Sequence, residues 1–231
     1  MKLFPGNKKK ALTLSYDDDT VFDIRFAELI RKHGFRCTFN LNGDLFCRDE
    51  NASGKRQMTV KEAQTKLDTD INEIATHGFT HPHYELLTAE EVDADIKSDI
   101  ASLSEIFSRK VNGHAYPFGT YTPQVKKILS DNGIIYARTV RSTHNFELPT
   151  DFMEWNPTCH QRDERLFELL DEFLAYDGDE PKLFYMWGHT HEFDYYDCWD
   201  LIEKFVEAAG GADDVWYCTN AEYYEWAKNN L

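Results

Sequence analysis

The sequence has no run of the roughly 20 apolar residues that a membrane-spanning helix needs, and its mean hydropathy is −0.59. It also has no CxxC spacing, and its cysteines number five. An odd set without that spacing fits neither a disulfide framework nor a structural zinc site, so we expect reduced and mostly buried thiols. They are Cys37, Cys47, Cys159, Cys198 and Cys218.

Basic residues are scarce, with 25 Lys and Arg against 41 Asp and Glu and a net charge of −16. A surface of this charge repels phosphate backbones and anionic headgroups, so nucleic acid and membranes are not expected partners. The first 19 residues carry their basic cluster after the first apolar positions and contain no small-residue cleavage site. This pattern is unlike a secretory signal and favours a cytoplasmic protein.

Internal repeats, low-complexity segments and linkers are absent from the sequence, which predicts one domain over residues 1–231 and assigns no oligomeric state. Strand-like apolar runs alternate with helical patterns, beginning with a strand over Ala11–Tyr16. The longest helix is predicted over Thr88–Arg109, where Thr88 and Glu91 have the spacing of a capping box. A loop is predicted over Asn145–Cys159 and a late helix over Tyr196–Ala209. The alternation predicts an α/β fold, either a distorted barrel of about seven parallel strands or an open doubly wound sheet.

Both architectures place function at the carboxyl ends of the parallel strands. Three consecutive aspartates, residues 17–19, follow the first strand. They would repel one another unless a cation neutralises them, and the other interpretation is a solvated acidic turn that caps the next helix. His77 and His81, spaced by four, follow a later strand, and two histidines with one carboxylate are typical of catalytic zinc and non-haem iron sites.

Further candidates stand in the second half of the chain. His189 ends an aromatic strand and is a candidate general acid. His191, two positions later, is either a further site residue or a residue that only caps or packs. His160 is a candidate substrate or outer-shell contact. The aromatic residues that could stack on a sugar or heterocycle, unless they belong to the core, include Tyr116, Phe118, Trp155 and Trp187.

In their order along the chain, these motifs resemble the polysaccharide deacetylase family, carbohydrate esterase family 4. Ser15-Tyr16-Asp17-Asp18-Asp19 is similar to the family's Thr-Phe-Asp-Asp-Gly motif. The segment Glu73–His81 matches the spacing of its histidine motif. Ala115–Gly119 matches its Arg-x-Pro-Tyr/Phe-Gly motif without the arginine, and Trp187-Gly188-His189 matches a later apolar-x-His motif.

The resemblance implies a role for each matched residue. Asp17 would be the catalytic base, and Asp18, His77 and His81 would hold one divalent metal ion. His189 would be the general acid, and Tyr116, Pro117 and Phe118 would line the substrate, with the Phe118 N–H as oxyanion donor. Asp163 is a weak match to the remaining family motif, and Arg138 or Arg141 would replace the arginine missing at Ala115.

The implied activity is metal-dependent removal of an acyl group, most simply acetyl, from an N-acylated sugar or related amide. Two nitrogens and one oxygen would accept zinc, which we favour, or cobalt, nickel, manganese or iron. A cytoplasmic location favours a small molecule or a short oligosaccharide as substrate. The alternatives are hydrolysis of a small cyclic amide or an O-acetyl ester, and a catalytically inactive carbohydrate-binding relative.

Overall fold

The computed structural model of the chain describes residues 2–46, 57–67 and 69–231. Eight strands and eight α-helices are found in these residues. The strands are β1 Lys10–Asp17, β2 Cys37–Leu41, β3 Glu73–Thr76, β4 Gly113–Ala115, β5 Tyr136–Arg138, β6 Cys159–His160, β7 Lys182–His189 and β8 Val215–Cys218. The helices are α1 Phe22–Lys32, α2 Val60–Lys66, α3 Ala89–Phe107, α4 Pro123–Asp131, α5 Leu166–Ala175, α6 Thr190–Tyr195, α7 Trp199–Ala209 and α8 Asn220–Ala227.

Seven strands form a curled parallel sheet in the order β5-β4-β3-β2-β1-β7-β6, with helices around it. β8 pairs with the first half of β1, while β2 pairs with the second half. The outer edges of the sheet are joined through residues 155–161. Trp155 exchanges backbone hydrogen bonds with Ala137 of β5 and with Thr139, which follows β5, and the Gln161 N–H donates to the Trp187 carbonyl of β7 at 2.8 Å. The structure therefore confirms the distorted barrel of about seven parallel strands.

Alternation along β1 explains how the sequence builds both faces of the sheet. Leu12, Leu14 and Tyr16 lie in the large apolar cluster between the sheet and its helices. Thr13 and Asp17 point the other way, and their side chains make hydrogen bonds across the barrel interior. Because parallel sheets are covered on both faces, every residue of β1 is buried. The same alternation directs Asp17 into the barrel at its carboxyl end.

The structure differs from two sequence predictions. The segment Asn145–Cys159, expected as a loop, contributes the Trp155 bridge that helps to join the sheet edges. The helix expected over Tyr196–Ala209 is present as α7 but begins three positions later, at Trp199, and α6, which begins directly after β7, was not predicted. The chain turns between them at Asp197, whose φ of 49° lies in the left-handed region. The longest helix, α3, starts from the expected capping box of Thr88 and Glu91.

Among the described cysteines, Cys37, Cys159 and Cys218 are buried, Cys198 is partly buried, and all four are free thiols, as expected. Cys47 lies outside the described residues. No helix in the described ranges has the length and apolar character needed to cross a membrane.

Candidate active site at the carboxyl ends of the strands

Asp17 ends β1 inside the barrel with 2% of its surface exposed. Its carboxylate accepts hydrogen bonds from Asn40 Nδ2 at 2.8 Å and from Arg138 Nη2 at 2.7 and 2.5 Å. Burial raises the pKa of this carboxyl, but the charges of Arg138, His77 and His189 outweigh burial and hold the pKa below its usual range. Asp17 is therefore a carboxylate at neutral pH, positioned by two donors.

Arg138 reaches Asp17 from β5, on the opposite side of the barrel interior. Its side chain is fully buried, and its guanidinium lies 4.5 Å from the centre of the Trp187 ring. Arg141, the other arginine considered at this position, has a 71% exposed side chain and lies 3.9 Å from Glu154. Arg138 is thus the arginine whose contacts match a partner of the Asp17 carboxylate.

Asp18, His77 and His81 bring three ligand atoms together beside Asp17. The two histidine Nε2 atoms are 3.2 Å apart, and each lies 3.7 Å from Asp18 Oδ1. Ligands about 2.1 Å from a tetrahedral ion stand roughly 3.4 Å apart, so these separations fit one shared cation. Asp18 and His81 reach these positions with φ of 83° and 54°, both in the left-handed region.

The hydrogen bonding of His77 leaves the correct nitrogen for a metal. His77 Nδ1 lies 2.8 Å from the Ala115 carbonyl, which can only accept, so Nδ1 carries the proton and the Nε2 lone pair faces Asp18. Burial and the neighbouring His77 lower the pKa of His81 to about 4, so the His81 imidazole is neutral at pH 7. The donor set therefore fits a divalent cation.

His189 stands at the end of β7, across from the histidine pair. Its Nε2 lies 3.9 Å from Asp17 Oδ2 and 3.9 Å from Asp18 Oδ2, and its Nδ1 lies 3.5 Å from Glu192 Oε1. Burial lowers the pKa of His189, but the contact with Glu192 and the charges of Asp18 and Asp17 outweigh burial and raise it. A histidine whose protonated form is favoured in this way can donate a proton.

Glu192, which the sequence motifs did not single out, joins a second cluster with His160 and His189, whose ligand atoms all lie within 4.8 Å of one another. The Arg162 N–H donates to His160 Nδ1 at 3.2 Å, so the proton of neutral His160 is on Nε2, which faces Glu192 Oε2 at 3.5 Å. This tautomer is the reverse of that of His77. It favours a hydrogen-bonding cluster over a metal site.

These groups open into a cleft of about 520 Å³. Phe118, half exposed and with a φ of 56°, stacks its ring 3.7 Å from that of His83 at the cleft rim. Tyr116 is buried, and its hydroxyl donates to the Met153 carbonyl at 2.8 Å. The residues that line the cleft are Asp17, Asp18, His77, His81, Tyr116, Phe118, Val140, Trp187 and His189.

The remaining candidates divide between the margin of the cleft and other parts of the molecule. His191 Nδ1 lies 3.9 Å from Asp18 Oδ2, and the His160 ring is 4.7 Å from Trp187. Trp155 is instead in an apolar cluster with Tyr136, Tyr185 and Tyr223, and does not line the cleft. Asp163 contacts His144 Nε2 at 2.6 Å and accepts from the Arg165 N–H before α5. Pro117 is buried between Tyr116 and Phe118.

The family model of polysaccharide deacetylases matches residues 5–137, which is more than half of the 231 residues. The chain belongs to the polysaccharide deacetylase family. This membership agrees with the resemblance that the sequence motifs carry. A comparison of the chain with curated proteins found no match.

Solved structures share its fold at low sequence identity. An allantoinase, Puue, is 13% identical with a TM-score of 0.71, over 98% of this chain and 93% of its own. A family 4 carbohydrate esterase from Streptomyces lividans, in complex with acetate, is 12% identical with a TM-score of 0.59, over 92% of each chain. A pseudoenzyme of the same family from Bacillus anthracis is 18% identical with a TM-score of 0.57, over 96% of this chain and 66% of its own.

Proposed function

We propose that this polysaccharide deacetylase family member is a metal-dependent hydrolase that removes an acetyl group from an N-acetylated sugar or related amide. The observation that carries the proposal is the cleft itself. A carboxylate, Asp17, and an imidazole, His189, lie there 3.9 Å apart, beside the three ligand atoms of Asp18, His77 and His81.

Asp18, His77 and His81 would hold the metal ion, and zinc is favoured, with cobalt, nickel, manganese and iron also compatible with two nitrogens and one oxygen. A divalent cation there supplies Lewis acidity, which polarises an acyl carbonyl and lowers the pKa of water. The donor chemistry supports the assignment, because His77 Nδ1 donates to a carbonyl and the Nε2 atoms of both histidines lie 3.7 Å from Asp18 Oδ1.

The reaction needs a base for the attacking water and an acid for the leaving nitrogen. Asp17 takes the proton of the water, since Arg138 and Asn40 hold its carboxylate ionised and fixed. The Phe118 N–H donates to the developing oxyanion, where one such donor is typically worth about 3–4 kcal/mol. His189 Nε2 gives its proton to the amine, because a C–N bond breaks at neutral pH only when the nitrogen is protonated.

The size of the cleft favours a small molecule or a short oligosaccharide. About 520 Å³ lies within the roughly 300–1,000 Å³ of small-molecule sites. The aromatic ring of Phe118 at the rim suits a pyranose, whose C–H face packs on aromatic surfaces. A small cyclic amide or an O-acetyl ester would also fit this volume, so the experiment has to separate them.

The test uses chelator-treated protein with and without one equivalent of zinc or cobalt. N-Acetylglucosamine, its di- and trisaccharides, allantoin and an O-acetylated sugar are offered separately, and acetate release or ring opening is followed by NMR. We expect metal-dependent acetate release from an N-acetylated sugar. Turnover of allantoin or of the O-acetylated sugar alone selects the second hypothesis. Binding of sugar without turnover of any substrate contradicts the enzyme assignment and favours an inactive relative.

A further inference from the structure

The helix α6 places Glu192 beside His189. It begins at Thr190, so His189 and Glu192 are three positions apart across its first turn, where side chains meet. Glu192 Oε1 lies 3.5 Å from His189 Nδ1, while His189 Nε2 points toward Asp17 and Asp18. This separation is longer than a formed hydrogen bond, and the buried His189 Nδ1 has no hydrogen-bond partner among the described residues. Catalytic hydrogen bonds are often this long before substrate binds and shorten in the complex. The two nitrogens of His189 thus face different partners.

The other oxygen of Glu192 is held by residues of the β6 region. Gln161 is fully buried, and its Nε2 donates to Glu192 Oε2 at 3.1 Å and to the His189 carbonyl at 2.8 Å. His160 Nε2 approaches the same carboxylate oxygen at 3.5 Å. One amide therefore fixes both the backbone of His189 and the carboxylate that faces its ring.

Gly188 leaves room for this arrangement. A Cβ at position 188 would lie 2.4 Å from the side-chain carbon and oxygen of Gln161, much closer than real contacts allow. Because Gly188 stands between the buried Trp187 and His189, any larger residue would displace the Gln161 amide. The glycine is thus required for the contact between Gln161 and Glu192.

We propose that Glu192, held by Gln161 and His160, is the positioning residue for His189: its carboxylate accepts a hydrogen bond from Nδ1–H and so directs the other nitrogen, the acid, at the leaving group. The inference rests on the proposed function. Burial raises the pKa of Glu192, but His189, His160 and Gln161 outweigh burial and lower it to about 2, so the carboxylate is available as an acceptor. Removing it leaves the imidazole free to exchange tautomers or rotate.

The kinetic test compares two leaving groups in wild type, Glu192→Gln and Glu192→Asp, with the exposed Glu225→Gln as matched control. An N-acetylated sugar needs a proton on its departing amine, whereas p-nitrophenyl acetate expels a stable phenolate. We expect Glu192→Gln to lower kcat on the amide about 100-fold and to change the ester rate less than about threefold. Glu192→Asp should recover part of the loss, and Glu225→Gln should match wild type. Equal losses on both substrates would overturn the proposal.

Two measurements keep the inference separate from the proposed function. Histidine ¹⁵N spectra of the metal-free protein, recorded at a pH where His189 is neutral and assigned with His189→Asn, should show the Nδ1–H form of His189 in wild type and a mixture in Glu192→Gln. An unchanged tautomer overturns the inference even if the enzyme assignment holds, and the expected change supports it even if no substrate is turned over. Metal content should be one equivalent in both proteins. A second equivalent lost in Glu192→Gln would show a metal site there instead and refute the positioning role.

Discussion

Replacing Arg138 by methionine tests how the candidate base is held. The Arg138 Nη2 donates to both oxygens of Asp17, and both side chains are buried. An arginine beside a carboxylate lowers its pKa by about 1–3 units, equivalent to about 1.4–4 kcal/mol. Without it, burial dominates and the pKa of Asp17 rises. The acidic limb of kcat/KM against pH should therefore move up by about 1–3 pH units.

Stability should change in the same variant. The pKa of Asp17 is lower in the folded than in the unfolded protein, so its ionisation stabilises the fold at pH values above the unfolded pKa. This stabilisation is lost as the pH falls through the folded pKa. Breaking a buried pair typically costs about 3–5 kcal/mol, so the free energy of unfolding of Arg138→Met at pH 7 should fall by that amount. Urea unfolding from pH 4 to 8 measures it.

Two further variants make the experiment decisive. Arg138→Lys retains a positive charge and should keep part of the shift, which protects the test if Arg138→Met does not fold. Arg141→Met removes a largely exposed arginine near the same strand and should leave the pH profile unchanged. An acidic limb that stays in place in Arg138→Met, in a folded protein, would refute the assignment of Asp17 as the titrating base.

Three other predictions follow from the site. Asp17→Asn should retain the metal, measured by plasma mass spectrometry, while kcat on an N-acetylated sugar falls by at least about 100-fold; retention of most activity would remove the base assignment. Gly119→Ala should lower the free energy of unfolding by about 1–3 kcal/mol, because Gly119 has a φ of 71° and an added Cβ would lie 2.3 Å from the Val140 side chain. Val140→Ala should recover part of this loss in a double-mutant cycle, and complete additivity of the two changes would contradict the clash. Phe118→Ala should raise KM for the sugar while kcat changes little, since only the backbone N–H of Phe118 is proposed to act on the reacting atoms; a fall in kcat with unchanged KM would contradict that division.

Much of the fold could be predicted because strand and helix periods are local properties of the sequence. β1 reads as a buried strand, and Thr88 and Glu91 mark the start of α3 by a capping box that the structure contains. The rule that function lies at the carboxyl ends of parallel strands then placed Asp17, His77 and His189 at one end of the barrel, where the structure has them. This placement required no knowledge of the side-chain contacts between the strands.

The contacts that tune the site were not predictable in the same way, because they join elements remote in sequence or depend on a helix boundary. The sequence named Arg138 and Arg141 as alternatives for the missing arginine but could not decide between them, because Arg138 is 121 positions from Asp17 and meets it only where the curled sheet brings β5 to face β1. Glu192 approaches His189 only because α6 starts at Thr190, and the predicted helix started later. The sequence offered Trp155 as an aromatic ring that could stack on substrate, but in the structure it belongs to the apolar cluster with Tyr136, Tyr185 and Tyr223.

The most direct test of the account is a metal titration of activity. Chelator-treated wild type and the double variant His77→Ala/His81→Ala receive zinc from zero to two equivalents, and acetate release from an N-acetylated sugar is measured at each step. The account predicts that wild-type activity rises to a plateau at one equivalent, and that the double variant neither retains zinc nor gains activity. Full activity of the metal-free wild type, or equal activation of the double variant, would contradict it.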